Sequence, residues 1–347
     1  MKVFTAETEL PLWDCETQAL VCVGTHDETA DVKTFFFRAA APARFAYQPG
    51  QFLTFFPVID GVEVERCYTI AASPARPHLI SITVKRQPGG IVSPWLHEHM
   101  RAGVSIRANG PLGIFSCVQH PAEKYLFISG GSGITPLMSM LRAHHDLREA
   151  ADIVFLHFAR TPADIIFHAE LEYMATQMPA LRVIFVCESD AGWEGLRGRM
   201  SADVLAGLIE GRTIFNCGPA PFMQATQAAL AVRGFDMRNY HEESFNFSEL
   251  APEPVAAAGG ARFMVEFSKT KRKIVVDSET FILAAARAEG MRLPASCTKG
   301  ICGTCKSRLV SGQVDMKHQG GIRQREIDAG MILLCCAKPL SDLVVER

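Results

Sequence analysis

Four of the eleven cysteines constrain this chain more than any other residues. They fall as Cys297-x4-Cys302-x2-Cys305, followed by 29 residues and then Cys335. Three thiolates on one tight loop and a fourth from far downstream is a spacing that serves two irons rather than one. Gly300 and Gly303 let such a loop turn close to a [2Fe–2S] cluster, where backbone N–H groups stabilise the sulfurs. A structural zinc site is the competing reading, but zinc knuckles pair one CxxC with another. By spacing alone the fourth ligand is open between the adjacent Cys335 and Cys336. The odd cysteine count and the start MKVFTAETELPLWD, which lacks an apolar signal segment, point away from a disulfide framework. The expectation is a cytoplasmic protein with thiolate-bound metal.

A length of 347 residues favours two or three domains. An apolar fraction of 48% supplies material for real cores, and no apolar run is long enough to span a membrane. The net charge of −2 argues against a nucleic-acid partner. That charge is unevenly spread. Residues 262–347 hold 15 Lys and Arg against 9 Asp and Glu, a net +6, which leaves −8 on the remainder. Between the two zones runs SELAPEPVAAAGGA, Ser248 to Ala261, with the composition of a linker.

Upstream of His120 the chain reads as short strands, among them Val32–Phe37, Phe52–Phe56, Cys67–Ala71 and Leu79–Val84, which suggests a small antiparallel barrel. Beyond it, strand-like runs alternate with helical patterns, the sign of a parallel sheet covered by helices. Lys124–Ser129 leads into Gly130-Gly131-Ser132-Gly133-Ile134-Thr135-Pro136, glycines between a strand and a helix, where backbone N–H groups and the helix dipole can meet a pyrophosphate. A second strand–turn–helix follows at Phe215-Asn216-Cys217-Gly218-Pro219-Ala220-Pro221-Phe222-Met223. The expected division is 1–120, 121–247, a linker at 248–261, and 262–347.

Read in order, Arg66-Cys67-Tyr68-Thr69, Gly89-Gly90-Ile91-Val92-Ser93, Gly110-Pro111-Leu112-Gly113 and the two glycine turns resemble the ferredoxin–NAD(P)⁺ reductase superfamily. The resemblance implies a multidomain protein: an antiparallel β-barrel flavin domain, an α/β parallel-sheet nicotinamide domain and an α+β (β-grasp) ferredoxin domain. Plant-type ferredoxins follow their fourth ligand with x-Ala-x-Pro. Cys335-Cys336-Ala337-Lys338-Pro339 then implies Cys335 as the ligand, with Cys336 a spare thiol.

The same resemblance assigns roles. Arg66 pairs with flavin phosphate, Tyr68 stacks on the isoalloxazine, and the Thr69 hydroxyl bonds near its N5. Val84 and Lys85 belong to that site, and Ile91, Val92 and Ser93, as a phosphate loop, hold the pyrophosphate. Gly131, Gly133, Thr135 and Pro136 hold the nicotinamide nucleotide together with Cys217, Gly218 and Pro219. Cys217 is the residue that orients hydride transfer. Glu243 and Phe245 match the ExF-type close of the reductase half, with Phe245 either shielding the flavin or packing in a core.

The implied cofactors are FAD, a [2Fe–2S] cluster and NADH or NADPH. The implied activity passes electrons to a partner protein: a Rieske-type terminal oxygenase acting on a small substrate such as a quaternary amine, or alternatively the hybrid-cluster protein. NADH is the preferred nicotinamide, with Arg197 and Arg199 as the groups that would instead suit the NADPH phosphate; Arg160, which also fits a pattern of NADH-using relatives, decides little. A zinc-stapled interaction module on a degenerate reductase is the reading from another class. His97, His99, His144 and His145 lack a metal-binding pattern, and no GxSxG or HExxH motif supports hydrolase chemistry. Lys299, Lys306 and Arg308 beside the cysteine loop are candidates to steer an acidic partner surface, in a role shared with, and weighted slightly towards, docking on the chain's own acidic half.

Overall fold

The computed structural model describes residues 10–190, 192–243, 245, 260–291, 293, 300, 303, 305–318, 321–322 and 324–347. Cys297, Lys299, Cys302 and most of the expected linker lie outside the described residues. The chain divides into two compact units, one comprising residues up to Phe245 apart from 112–114, and one that contains the C-terminal residues.

The first unit opens with antiparallel sheets. Strands Ile80–Lys85, Val32–Ala39, Leu20–Thr29 and Ser105–Ile106 lie side by side in that order, and a second sheet orders Arg66–Thr69, Phe52–Phe55 and Ala108–Leu112. Strict alternation decides which side faces the core. Phe35, Phe37, Ile80, Ile82 and Leu20 point inward and are fully buried. Each such side chain is worth about 1.5–3 kcal/mol relative to exposure. The opposite side carries Thr34 and Thr83, paired across the strands with their hydroxyl oxygens 2.7 Å apart.

Of residues 89–93, expected as a phosphate loop, 89–91 lie outside any helix and Val92 and Ser93 open one. Helix α1 starts at Val92 and runs to His99. Pro94 falls in its first turn, where a proline has no intrahelical N–H to lose, and Val92 is drawn into the core at 2% exposure.

From Lys124 the pattern becomes parallel. Six strands lie in the order Leu196–Arg197, Leu181–Cys187, Asp152–Ala159, Lys124–Gly130, Thr213–Cys217 and Tyr240–Glu243. Near-continuous apolar runs such as Tyr125–Ile128 and Ile153–Leu156 are required because both faces are covered. Helices α2 (Ile134–Leu147) and α3 (His168–Gln177) cover Phe127, Phe155 and Phe215. The other face buries Leu126, Ile128, Val154, Leu156 and Ile214, together with Ala229 and Leu230 from α4 (Ala220–Val232). The chain winds one way from Lys124–Gly130 and then returns to the other side. That reversal leaves a crevice at the carboxyl ends of Lys124–Gly130 and Thr213–Cys217, the position at which such sheets bind ligands.

The second unit is a mixed five-stranded sheet ordered Arg272–Asp277, Arg262–Phe267, Leu343–Glu346, Lys306–Ser311 and Met331–Leu333. Helix α5 (Ile282–Ala288) contributes Ile282, Leu283, Ala285 and Ala286 to its core. The basic run around Lys269–Lys273 forms the expected hairpin, with Lys271 in a left-handed turn position at φ 54°.

Phe127 sits at the centre of the first unit with 0% exposure and edge-to-face contacts to Phe155 and Phe215 at 6.0 Å. Phe127→Ala should cost about 3–5 kcal/mol. Val232→Ala, at a position 78% exposed, should stay within about 0.5 kcal/mol. Urea unfolding followed by circular dichroism measures both.

Candidate functional site

The Arg66–Thr69 strand is held by Phe52–Phe55, which pairs Phe52 with Thr69 and Phe55 with Arg66. Tyr68 is half-buried with its ring edge-on to Phe55 at 5.9 Å, and burial pushes its phenol above the usual range. Thr69 is 5% exposed, and its hydroxyl has no hydrogen-bond partner among the described residues. A buried hydroxyl left this way costs about 1–3 kcal/mol unless something else bonds to it. A flavin heteroatom would supply such a partner, so Thr69 fits the expected group. Arg66 is half-buried and donates to the Glu65 carbonyl at 2.7 Å.

Val84 is buried, with its carbonyl 2.9 Å from His97 Nε2, and Lys85 pairs with Asp31 at 3.2 Å. Ile91 is exposed. The Ser93 hydroxyl accepts the Gln87 N–H at 3.0 Å, which fastens the Gly89–Gly90 turn to the start of α1. The first N–H groups of α1 are donors without intrahelical acceptors, a fit for phosphate.

At the crevice of the parallel sheet the glycines divide their tasks. A Cβ on Gly133 would lie 2.2 Å from the Cys217 carbonyl oxygen, and one on Gly218 would lie 2.6 Å from the Phe222 ring. Gly130 also abuts that ring, at 3.1 Å. These three glycines let the two turns press against each other and against Phe222. Gly131 is different: it adopts φ 53° and its missing Cβ faces open space, so its backbone is the part free to meet a nucleotide. Thr135 and Pro136 lie buried in the first turn of α2, and the Thr135 hydroxyl donates to the Ser132 carbonyl at 3.1 Å. Pro219 immediately precedes α4.

Cys217 and Glu243 stand side by side on neighbouring parallel strands. Both are buried, at 0% and 7% exposure. Burial pushes the Cys217 thiol well above its ordinary range, and the Glu243 and Glu242 carboxylates push it further. Cys217 is therefore a protonated thiol at working pH, a small polarisable contact rather than a nucleophile. Phe245 packs against the core cluster that contains Cys217 and Phe215.

In the second unit Cys305, Cys335 and Cys336 are buried at 2%, 4% and 6% exposure. The Gly300 N–H donates to Cys335 Sγ at 3.2 Å, the type of bond that stabilises a thiolate ligand. Gly300 (φ 72°) and Gly303 (φ 74°) are both left-handed. A Cβ on Gly300 would lie 2.8 Å from Cys336 Sγ, so the second thiol packs behind the loop.

Several charged candidates have other occupations. Lys306 is held by Glu326 at 2.6 Å with its side chain 20% exposed, so much of its charge is used within its own unit. His144 is buried beside Glu149, 2.7 Å away. Sequence reasoning did not find the buried pair of Ser129 and His157, 2.8 Å apart under the glycine turn, with burial lowering the imidazole to about 3. The adjacent-strand register that brings them together leaves no mark in local sequence.

Gly133→Ala forces overpacking worth about 1–3 kcal/mol against the Cys217 carbonyl. NAD(P)H affinity should fall about tenfold or more while flavin content is unchanged. Titration of the flavin-loaded protein with the nicotinamide reads both.

Three families match in succession along the chain: an oxidoreductase FAD-binding domain over residues 20–117, an oxidoreductase NAD-binding domain over 127–228, and a 2Fe-2S iron-sulfur cluster binding domain over 265–340. The chain is 43% identical to the glycine betaine monooxygenase reductase subunit of Chromohalobacter salexigens, covering 94% of each. It is 40% identical to a stachydrine N-demethylase reductase subunit of Rhizobium meliloti, covering 97% of this chain and 98% of the other. Phthalate dioxygenase reductase shares the three-domain fold at a TM-score of 0.60 and 21% identity, with 96% and 98% covered. With a barrel, a switch-point crevice and a cysteine loop matched end to end, the chain belongs to the family of NAD(P)H-dependent FAD and [2Fe–2S] oxidoreductases that includes the glycine betaine monooxygenase reductase subunits.

Proposed function

We propose that this oxidoreductase is the reductase component of a Rieske-type oxygenase acting on a small quaternary amine. The observation that carries the reading is the 43% identity across 94% of both chains with a reductase subunit of a glycine betaine monooxygenase. The proposed domains are a flavin domain at 1–120, a nicotinamide domain at 121–247, a linker at 248–261 and a ferredoxin domain at 262–347. When bound, NADH supplies two electrons as hydride, FAD accepts them together and parts with them singly, and the cluster takes one at a time.

The chain's own residues bind and orient. Tyr68, Val84, Lys85 and the Arg66 guanidinium hold the flavin, and the Thr69 hydroxyl meets its reactive edge. Ile91, Val92 and Ser93 at the start of α1 hold its pyrophosphate. Gly131, Gly133, Thr135 and Pro136 with Gly218 and Pro219 seat the nicotinamide nucleotide. Cys217 fixes the face presented, Glu243 supplies a buried carboxylate beside it, and Phe245 excludes water. Cys297, Cys302, Cys305 and Cys335 ligate the cluster.

NADH is the proposed nicotinamide because the arginines that would suit a 2′-phosphate are engaged. Arg199 pairs with Glu188 at 3.2 Å, Arg160 lies 3.5 Å from Asp31 and 3.4 Å from Asp164, and Arg197 donates to the Trp193 carbonyl at 3.0 Å. Glu188 adds a carboxylate, which accepts from a ribose hydroxyl and repels a phosphate. The ratio of kcat/KM for NADH over NADPH should exceed about ten, a difference of about 1.4 kcal/mol.

Thr69→Val tests the flavin assignment. It replaces the partnerless hydroxyl with a methyl of similar shape, so the flavin-free protein should gain stability while NADH-driven flavin bleaching slows. Unchanged bleaching would remove Thr69 from the flavin site. The wider reading is tested by mixing the loaded protein with a purified glycine betaine monooxygenase. NADH oxidation should accelerate only when oxygenase, amine and the intact cluster loop are all present. Equal rates for a Cys302→Ser variant would reject the route.

A further inference from the structure

A cavity of about 610 Å³ lies in the first unit between the outer side of the barrel strands and helices α2 and α3. It would hold about twenty waters and falls in the size range of small-molecule sites. None of the residues assigned above to flavin, nicotinamide or cluster lines it.

The charges on its wall do not cancel. Arg142 is spent on Glu170 through two bonds, 2.8 and 2.5 Å long, and on the Ala71 carbonyl at 2.7 Å. Arg76 is likewise bidentate to Asp146, at 2.8 and 2.7 Å. Glu28 is left over. It is half-buried, it accepts a hydrogen bond from the Thr34 hydroxyl at 2.6 Å, and among the described residues no lysine or arginine forms an ion pair with it. Glu172, exposed at the rim, pairs only with His168, at 3.4 Å, among the described residues.

A half-buried carboxylate beside a cavity favours a cation. A metal ion is a poor match, because no cluster of three metal-ligating side chains occurs among the described residues. The aromatic wall gives a better one. Phe36 stands two residues from Thr34 on the same outward side of its strand and lines the cavity, while the Phe167 ring is already covered by Arg142 at 4.6 Å. A carboxylate and an aromatic ring facing one space recognise an alkylated ammonium.

We propose that this cavity binds a small organic cation, a protonated or quaternary alkylamine, with Glu28 as counter-ion and Phe36 as the apolar wall. Because the barrel and the α2–α3 face both line it, the ligand would bridge the two halves that flank the hydride-transfer crevice. The inference does not depend on the identity of the electron acceptor.

Calorimetric titration of the loaded full-length protein with methylammonium and, separately, tetramethylammonium chloride tests it, with sodium chloride at matched ionic strength as the blank. Saturable one-site binding is expected for at least one probe, with Kd of about 1 mM or tighter. The stronger probe tells whether N–H donors to carboxylate or methyl contacts to the ring dominate, and either result supports the site. Glu28→Gln, which keeps an oxygen for the Thr34 hydroxyl, should weaken binding at least tenfold while NADH–ferricyanide turnover and the melting temperature stay unchanged. Phe36→Leu should selectively weaken tetramethylammonium. Absence of saturation for both probes, or equal binding to the Glu28→Gln protein, overturns the proposal.

Discussion

Two chain reversals meet where Gly133 lies against the carbonyl of Cys217, closer than any side chain permits. This contact fixes the spacing between the ends of the two central strands, and through it the width of the crevice. Each strand then sets its own helix: α2 begins one residue after Gly133, and α4 begins three residues after Cys217. Because both helices point their N-termini at the crevice, the fields of two dipoles converge there. The Phe222 ring, wedged against Gly130 and Gly218, removes the remaining freedom.

Around that fixed point the polar chemistry is sorted by burial. Cys217, Glu243 and His157 lie in the interior, where desolvation keeps the thiol protonated and the imidazole neutral. At the rim Arg160 and Arg199 are matched by carboxylates and Arg197 by the Trp193 carbonyl, so they hold conformation more than they add stability. Charge therefore acts at the edge of the crevice and shape acts at its centre. The second unit follows a different logic, in which backbone N–H groups and left-handed glycines serve sulfur.

The parts legible in the sequence were those set by local rules. Cysteine spacing is a covalent constraint, and continuous apolar runs between glycine turns dictate a parallel sheet. The three-domain architecture follows from both. Other features depend on residues that meet only after folding. Gly133 and Gly218 read as glycines that meet a nucleotide, and their second task, letting the two turns press together, shows only once the chain has folded. The segment Ile91-Val92-Ser93 reads by resemblance as a phosphate loop, and that a helix opens at Val92 shows only in the fold, where its side chain is buried. Lys306 reads as a free charge because Glu326 is twenty positions away in the chain. The charge imbalance around Glu28 is invisible for the same reason, since Arg142 and Glu170 come from the other half of the unit.

The order of strands in the second unit governs how it is made. Leu343–Glu346 lies between Arg262–Phe267 and Lys306–Ser311, pairing parallel with one and antiparallel with the other. Until that segment has emerged from the ribosome, the first hairpin has no neighbour in common with Lys306–Ser311 and Met331–Leu333 and cannot share a sheet with them. The first unit has all its strands by Phe245, so in domain-by-domain folding it precedes the second.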